Sequence, residues 1–250
     1  MTRRKFLALG ALALPAAVSA DAALLEPTAL QVTKLDRGNA AGARFVHFTD
    51  FHFKGDTRYA AELVRTINDL EPDFVCFTGD LVEDKRFAAD ALGYIAQIKA
   101  PVYGSPGNHD YWCHAPFADY EQAFAATGGG WLEDRAVALP RFDLEVVGMG
   151  IKGIHVLKPS LARHRVLLLH YPELSDSLAM PFDLILAGHS HGGQVRLPFY
   201  GALFLPWGVG RYDRGFFETK FGPLYVNVGI GTYHVPLRFN CRPEITLVTM

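Results

Sequence analysis

Buried strands and amphipathic helices alternate along the first half of the chain. Short runs of almost entirely apolar residues predict strands over residues 44–49, 73–78 and 102–103. Apolar residues at helical spacing predict helices over residues 57–70, 87–98 and 117–124, and the first of these follows Asp56 as an N-cap. This alternation predicts right-handed strand–helix–strand units and therefore the α/β class.

After residue 142 the pattern changes, and strand-like runs follow one another with little helix between them. They cover residues 142–148, 165–169, 182–187, 224–228 and 244–249. Ahead of the core, residues 30–35 alternate apolar and polar side chains and predict an edge strand. We therefore expect one domain over residues 43–250, preceded by a connector with this edge strand over residues 23–42.

The first 22 residues have the features of a twin-arginine export signal. Three basic residues at positions 3–5 precede an apolar stretch over residues 6–20 that is interrupted by Pro15. This stretch is shorter than the roughly twenty residues needed to span a bilayer. We expect the twin-arginine machinery to export the chain to the periplasm or cell envelope and the signal to be removed. An uncleaved anchor, or a fortuitous basic and apolar start, is the alternative.

Composition agrees with a single soluble enzyme domain. Half of the 250 residues are hydrophobic, which is enough for a large core. The formal net charge is −2 and becomes more negative if the basic N-terminal segment is removed, which argues against nucleic acid as a partner. The cysteines, Cys76, Cys113 and Cys241, are widely spaced, so neither a disulfide framework nor a Cys-x-x-Cys zinc site is expected.

Polar side chains follow the predicted strands at the points where the strands end. Five motifs contain them: Asp50-Phe51-His52, Gly79-Asp80, Gly107-Asn108-His109-Asp110, His170 and Gly188-His189-Ser190-His191. Ligands bind at the carboxyl ends of strands in α/β sheets, so we expect these side chains to converge. Carboxylates at the edge of an apolar core need a compensating cation. Each motif alone fits a turn, a strand end or a core histidine equally well, but together they predict a metal site.

In their order, these motifs resemble the signature of the calcineurin-like metallophosphoesterases, D-x-H, G-D, G-N-H-D/E, H and G-H-x-H. The resemblance covers residues 43–250, and the N-terminal segment is similar to that of an exported bacterial branch of the family. It implies an α/β fold of two facing mixed β-sheets flanked by helices, a four-layer αββα sandwich.

A binuclear metal centre is also implied by this resemblance. One divalent ion would bind Asp50, His52 and His191, the other would bind Asn108, His170 and His189, and Asp80 would bridge the two. Oxygen and nitrogen ligands without a thiolate suit manganese, iron or zinc.

The implied reaction is phosphoester hydrolysis by a metal-bridging hydroxide, which forms near neutral pH because coordination lowers the pKa of water from about 15.7 towards 7. His109 would protonate the departing oxygen or orient the scissile group, and Asp110 would hold the His109 ring. Five basic residues near the motifs are candidate phosphate contacts or ordinary solvated charges: Lys54, Arg58, Arg196, Arg211 and Arg214.

The sequence leaves the substrate open. We expect a phosphodiester or phosphomonoester outside the cytoplasm. A UDP-2,3-diacylglucosamine pyrophosphatase of lipid A synthesis is the alternative, since some members of the family resemble that enzyme. Core packing is expected for the apolar segment over residues 197–210, but an exposed portion would provide an acyl-chain groove or a membrane-docking surface. A non-catalytic scaffold is a third hypothesis, disfavoured because every ligand position is filled.

Overall fold

The structure, a computed structural model, describes Ser19 and residues 21–152 and 160–250. Its first sheet has six strands in the order β1-β14-β2-β3-β4-β5. These are β1 (Gln31–Asp36), β2 (Arg44–Phe48), β3 (Phe74–Phe77), β4 (Val102–Gly104), β5 (Gly130–Trp131) and β14 (Glu244–Thr249). Strands β2 to β5 run parallel to one another, while β14 is antiparallel to β2 and parallel to β1. The sheet is therefore mixed, and β1 is its edge strand, as the sequence predicts.

The second sheet also has six strands, in the order β12-β13-β9-β8-β7-β6. These are β6 (Arg135–Leu139), β7 (Leu144–Gly148), β8 (His164–Leu168), β9 (Leu184–Ala187), β12 (Gly215–Thr219) and β13 (Gly222–Val226). The four inner strands are parallel, and β6 and β12 pair antiparallel at the two edges. A separate small hairpin joins β10 (Arg196–Leu197) to β11 (Gly201–Ala202).

The two sheets pack face to face because side chains alternate along each strand. Phe45 and Phe74 stack with ring centroids 4.6 Å apart and belong to the apolar layer between the sheets. Val166 and Leu184 of the second sheet complete this layer. Alternate residues of β2 and β3, such as Val46, point to the opposite face, where the helices cover them.

Four α-helices lie in the first half of the described chain: α1 (Thr57–Asp69), α2 (Ala88–Ile95), α3 (Asn108–Trp112) and α4 (Phe117–Ala126). Asp56 caps α1 by accepting the Tyr59 backbone N–H at 3.0 Å. The outer face of the second sheet is covered by loops and by a 3₁₀ helix over Pro172–Ser177. The expected α/β fold of two mixed sheets flanked by helices is confirmed, with strands succeeding one another in the second half.

The sequence pattern missed the shortest and most exposed elements. Strands β6 and β12 lie at sheet edges with side chains that are exposed or only partly buried. β12 contains only two large apolar residues, whereas the apolar run of β6 over residues 136–139 was not identified as a strand. Core packing of residues 197–210 was the wrong expectation for much of that segment, because Phe199, Tyr200 and Trp207 are largely exposed. Apolar residues of this kind have the same composition whether they face a core or solvent.

Most of the predicted export signal lies outside the described residues. No helix in the described ranges combines the length and apolarity that crossing a bilayer requires.

Candidate metal centre

The predicted site residues follow five strands whose carboxyl ends lie together at one end of the paired sheets. Asp50 and His52 follow β2, Asp80 follows β3, and Asn108 and His109 begin α3 after β4. From the second sheet, His170 follows β8, and His189 and His191 follow β9. The structure thus brings all seven predicted ligands to one place, and all seven are buried. His109 is partly exposed beside them.

Five of these seven residues have a backbone in the left-handed region, which non-glycine residues rarely adopt. The φ angles are 53° for Asp50, 44° for His52, 59° for Asp80, 67° for His189 and 47° for His191. Such conformations cost on the order of 1–3 kcal/mol each and persist only where the surroundings over-determine them. Here the His52 N–H donates to the Asp80 carbonyl at 3.1 Å, and the His189 N–H donates to Asp50 Oδ2 at 2.9 Å. Backbone strain is concentrated where the side chains must converge.

Glycines next to the ligands leave room for this convergence. A Cβ atom on Gly107 would collide with the Asp80 carboxylate. A Cβ atom on Gly188 would collide with the side chains of Thr49 and Asp50. These two motif positions therefore require glycine, because their backbone passes close to a carboxylate.

Asp50, His52 and His191 form the first group of donor atoms. Their ligand atoms all lie within 4.8 Å of one another. Asp50 Oδ1 is 3.4 Å from His191 Nε2 and 3.8 Å from His52 Nε2, and the two imidazole nitrogens are 3.1 Å apart. This set of one carboxylate and two imidazoles suits a divalent ion.

Asp80, His170 and His189 form the second group, and Asn108 joins it. His170 Nε2 lies 3.2 Å from Asp80 Oδ2, 3.1 Å from His189 Nδ1 and 3.0 Å from Asn108 Oδ1. Asp80 Oδ2 is also 3.5 Å from His52 Nε2 of the first group. A single carboxylate oxygen of Asp80 therefore lies between the two groups.

Hydrogen bonds to backbone carbonyl oxygens fix the orientation of two imidazoles. His170 Nδ1 lies 2.7 Å from the Thr78 carbonyl oxygen, and His189 Nε2 lies 2.7 Å from the Trp207 carbonyl oxygen. Because a carbonyl can only accept, each of these nitrogens carries a proton, and the opposite nitrogen is the one that faces the cluster. Burial lowers the pKa of His189 to about 4, which keeps that ring neutral.

Glu83 holds a third imidazole and was not predicted to belong to the site. Its Oε1 lies 3.3 Å from His52 Nδ1, and its Oε2 lies 3.1 Å from Lys54 Nζ. Burial opposes ionisation of this carboxyl, but His52 and Lys54 lower its pKa to about 2. Its position three residues after Asp80, in the same loop, is the sequence signal that could have identified it.

Negative charge dominates the centre of the cluster. Burial alone would raise the pKa of Asp50 and Asp80, but the surrounding imidazoles hold both well below their usual range. Burial would likewise lower the pKa of His52 and His170, yet the neighbouring carboxylates raise each to about 9. In the protein alone, protons on these two rings balance the two carboxylates, and a bound cation would replace those protons.

One buried carboxylate oxygen shows that the donor set fits a metal ion. Asp50 Oδ1 is fully buried and has no hydrogen-bond partner among the described residues. A buried carboxylate oxygen without a hydrogen bond is costly, whereas a coordinating cation satisfies it. The oxygen and nitrogen donors therefore fit resident divalent ions.

A cleft of about 310 Å³ gives access to these atoms from solvent. Asp80, Asn108 and His109 line it together with aromatic side chains that include Trp112 and Tyr233. The five basic residues proposed from the sequence as phosphate contacts are absent from its lining in the described chain. A larger cavity of about 820 Å³ lies elsewhere; of the residues predicted from the sequence, Arg214 lines it, but none of the seven predicted ligands nor His109 or Asp110 does.

His109 stands at the rim of the cleft. Its ring packs edge-on against the His52 ring, with centroids 4.9 Å apart, and against Trp112 at 5.0 Å. Its backbone N–H donates to Asp80 Oδ1 at 2.7 Å. Burial lowers the pKa of His109 despite the nearby Asp80 charge. The side chain is therefore next to the donor cluster without belonging to the seven-residue set.

Asp110 has a different environment from the one predicted for it. Its carboxylate accepts the backbone N–H groups of Asp80 at 2.8 Å, Leu81 at 3.0 Å and Gly107 at 2.9 Å, and the Tyr120 hydroxyl at 3.2 Å. None of these contacts reaches the His109 ring, so the expected orienting contact is not formed. Asp110 instead ties the Asp80 loop to the start of α3. Local sequence could not show this, because two of the partners are backbone groups of the Asp80 loop.

Comparisons with known proteins agree with this arrangement. The profile of the family described as calcineurin-like phosphoesterase matches residues 43–193. The chain is 29% identical to the uncharacterized metallophosphoesterase YkuE of Bacillus subtilis, over 100% of this chain and 98% of that protein. It is also 29% identical to phosphodiesterase YaeI of Escherichia coli, over 86% of this chain and 84% of that protein. One solved structure, 13% identical, superposes with a TM-score of 0.50 over 75% of this chain and 90% of that one, which supports the fold alone.

The four contacts of Asp110 predict a large effect of Asp110→Asn on stability. The amide NH₂ group would face backbone N–H donors that have no other acceptor, and leaving them unsatisfied costs about 1–3 kcal/mol. The free energy of unfolding, measured by urea denaturation, should fall by about that amount. The exposed Asp69→Asn variant should change it by less than about 0.5 kcal/mol. Equal stability of the two variants would contradict this role of Asp110.

Proposed function

The chain belongs to the calcineurin-like phosphoesterase family, and from this premise we propose that it hydrolyses phosphodiesters or phosphomonoesters at a binuclear metal centre. The observation that carries the proposal is the position of Asp80 Oδ2, which lies 3.2 Å from His170 Nε2 of one donor group and 3.5 Å from His52 Nε2 of the other. That a metallophosphoesterase acts as a phosphoester hydrolase follows from the family itself.

In this proposal each donor group holds one divalent ion, manganese, iron or zinc. Asp50, His52 and His191 bind the first ion, and Asn108, His170 and His189 bind the second. Asp80 would contribute to both sites, since its carboxylate lies between the two donor groups and a carboxylate can serve two ions. The hydrogen bonds of His170 and His189 to backbone carbonyls hold the unprotonated nitrogens towards the ions.

Bound ions of this kind supply Lewis-acid stabilisation of phosphoryl charge and activation of water. The chain contributes position and a proton. Asp80 Oδ1 accepts the His109 backbone N–H, so the bridge and the rim histidine are held in one geometry. From the rim of the cleft, His109 reaches the leaving side of a bound phosphate and donates a proton to the departing oxygen.

Two features guide the choice among substrates and locations. The relative YaeI bears the name phosphodiesterase, which favours a phosphodiester. The basic and apolar sequence over residues 1–22 favours export by the twin-arginine machinery to the periplasm or cell envelope. The second candidate, a UDP-2,3-diacylglucosamine pyrophosphatase, is favoured by the exposed apolar side chains beside the cleft. A scaffold without catalysis is disfavoured because the whole donor set is present.

Removing the bridge should remove the metal centre. We expect Asp80→Ala to lose both ions and nearly all turnover, because no carboxylate would then be shared by the two donor groups. Metal content per chain, measured by mass spectrometry after gel filtration, tests this directly. The exposed Asp90→Ala variant is the control and should retain the metal content of the parent. Two tightly bound ions in Asp80→Ala would show that the proposed bridge is wrong.

His109 should affect the chemistry without affecting metal content. We expect His109→Ala to keep both ions and to lower kcat by about 10²–10⁴, as the loss of a general acid does. The loss should be smaller for a nitrophenolate leaving group, which departs without a proton. His114→Asn, at an exposed histidine five residues away, should leave kcat unchanged. An equal loss on good and poor leaving groups would exclude proton donation.

Export can be tested independently of catalysis. Replacing Arg3 and Arg4 by lysine should leave the full-length precursor in the cytoplasm, whereas the parent chain should appear outside it, shorter by about twenty residues. Immunoblots of separated cell fractions measure both the location and the length. Retention of an unshortened parent chain in the cytoplasm would overturn the export proposal and favour the lipid-precursor alternative.

A further inference from the structure

A row of large apolar side chains protrudes beside the metal cleft. This surface, which we call the apolar rim, consists of Phe199, Tyr200, Leu203, Phe204 and Trp207. Phe199 is fully exposed, and the exposed fractions are 75% for Tyr200, 67% for Phe204 and 84% for Trp207. Apolar groups in contact with water are costly at about 25 cal/mol per Å², so an exposed cluster of this size marks a contact surface.

The base of the apolar rim is firmly held. Phe199 and Tyr200 form the tip of the hairpin of β10 and β11. Below the tip, the buried guanidinium group of Arg196 donates to the Gly192 carbonyl at 2.7 Å and pairs with Asp213 at 2.8 Å. The hairpin is therefore tied to the loop that carries His191, and its aromatic tip projects from an anchored support.

The apolar rim is continuous with the metal centre. Phe204 and Trp207 line the metal cleft, and the Trp207 carbonyl accepts the hydrogen bond from His189. Phe204 also lines a neighbouring cavity of about 360 Å³, which Leu203, Val235 and other apolar groups enclose. An apolar surface thus begins at the ligand His189 and runs outward to the hairpin tip.

The shape and chemistry of the rim favour a lipid bilayer as its partner. Phe199 and Tyr200 at the hairpin tip are largely exposed, so they suit a deformable apolar phase better than a preformed pocket. Tryptophan and tyrosine are the side chains enriched where membranes meet water. No acidic residue occurs from Leu197 to Tyr212, and the next residue, Asp213, is paired with the buried Arg196 at 2.8 Å. Arg211 and Arg214, on either side of this pair, are exposed and suit anionic headgroups.

Asp21, which begins the described stretch over residues 21–152, lies on the same side of the molecule as the apolar rim. Asp21 lines one cavity together with Pro198 of the hairpin and Arg214. The residues directly before Asp21 in the sequence, 6–20, form the apolar stretch of the predicted export signal. Asp21, the point where this predicted signal joins the domain, therefore lies near the β10–β11 hairpin.

We propose that the apolar rim docks the protein on the surface of a lipid bilayer, where the metal cleft opens at the level of the headgroups and receives the phosphoester of a membrane lipid. Docking on the bilayer is inferred from the rim alone, whereas hydrolysis of a membrane lipid rests on the proposed hydrolase function. A lipid phosphate at the metal centre would place its apolar part against Phe204 and the neighbouring 360 Å³ cavity.

Two residues at the hairpin tip allow a test that leaves the metal cleft intact. The double variant Phe199→Asn, Tyr200→Ser removes both aromatic rings, and asparagine tolerates the left-handed backbone at position 199, where φ is 65°. The matched control is Leu161→Asn, which removes an equally exposed apolar side chain from the loop before β8, at the sheet edge opposite the metal centre.

The full-length parent, the double variant and the control are mixed with vesicles of phosphatidylcholine and phosphatidylglycerol and sedimented. We expect the double variant to lose at least about tenfold in vesicle partitioning and the control to match the parent, because each buried aromatic ring contributes strongly to transfer from water. All three should hydrolyse bis(p-nitrophenyl) phosphate in solution at equal rates. Against a phosphodiester lipid in the vesicles, only the double variant should be slower.

Several outcomes would overturn the proposal. The rim does not touch the bilayer if the double variant partitions like the parent, or if the parent does not bind vesicles. A further full-length variant with Leu7, Leu9, Leu12 and Leu14 changed to serine separates the N-terminal stretch from the rim. Vesicle binding that vanishes in this variant but survives in the double variant assigns the membrane contact to the N-terminus instead. Failure of the parent to hydrolyse the soluble substrate would defeat the hydrolase proposal without changing the vesicle result.

Discussion

Two carboxylates buried side by side at the edge of the core constrain everything else in this structure. Asp50 and Asp80 are almost completely removed from water, and their charge has to be balanced by cations that the fold brings to them. Protonated His52 and His170 provide that balance in the protein alone, and divalent ions would provide it in the proposed enzyme. The neighbouring imidazoles are thus ligands and counter-charges at once.

The architecture of two facing sheets follows from this constraint as much as from hydrophobic packing. One sheet supplies Asp50 and Asp80 and the other supplies His170, so the apolar layer between the sheets sets the distance between acids and imidazoles. The turns after the strands then take up the strain, with five predicted ligands in the left-handed backbone region. Asp110 stabilises the strained Asp80 loop by accepting hydrogen bonds from three backbone N–H groups around it.

Most of the fold and the set of convergent residues could be predicted from the sequence because both leave local signals. Buried central strands appear as apolar runs, and a polar residue directly after such a run has few structural explanations. The true surroundings of Asp110 and the contact of Glu83 with His52 depend on which loops meet, which no local pattern encodes. Strand β6 was missed although its residues 136–139 are apolar. The exposure of Trp207 was not predicted because sequence does not distinguish a core from a contact surface.

The central claim, that one shared carboxylate organises two ions, can be tested most directly by anomalous X-ray scattering from crystals of the parent protein grown with manganese or zinc. The account predicts two anomalous peaks about 3.5–4 Å apart, one beside Asp50, His52 and His191 and the other beside Asn108, His170 and His189, with Asp80 between them. A single peak bound by only one of these groups, or two peaks that do not share Asp80, would contradict it.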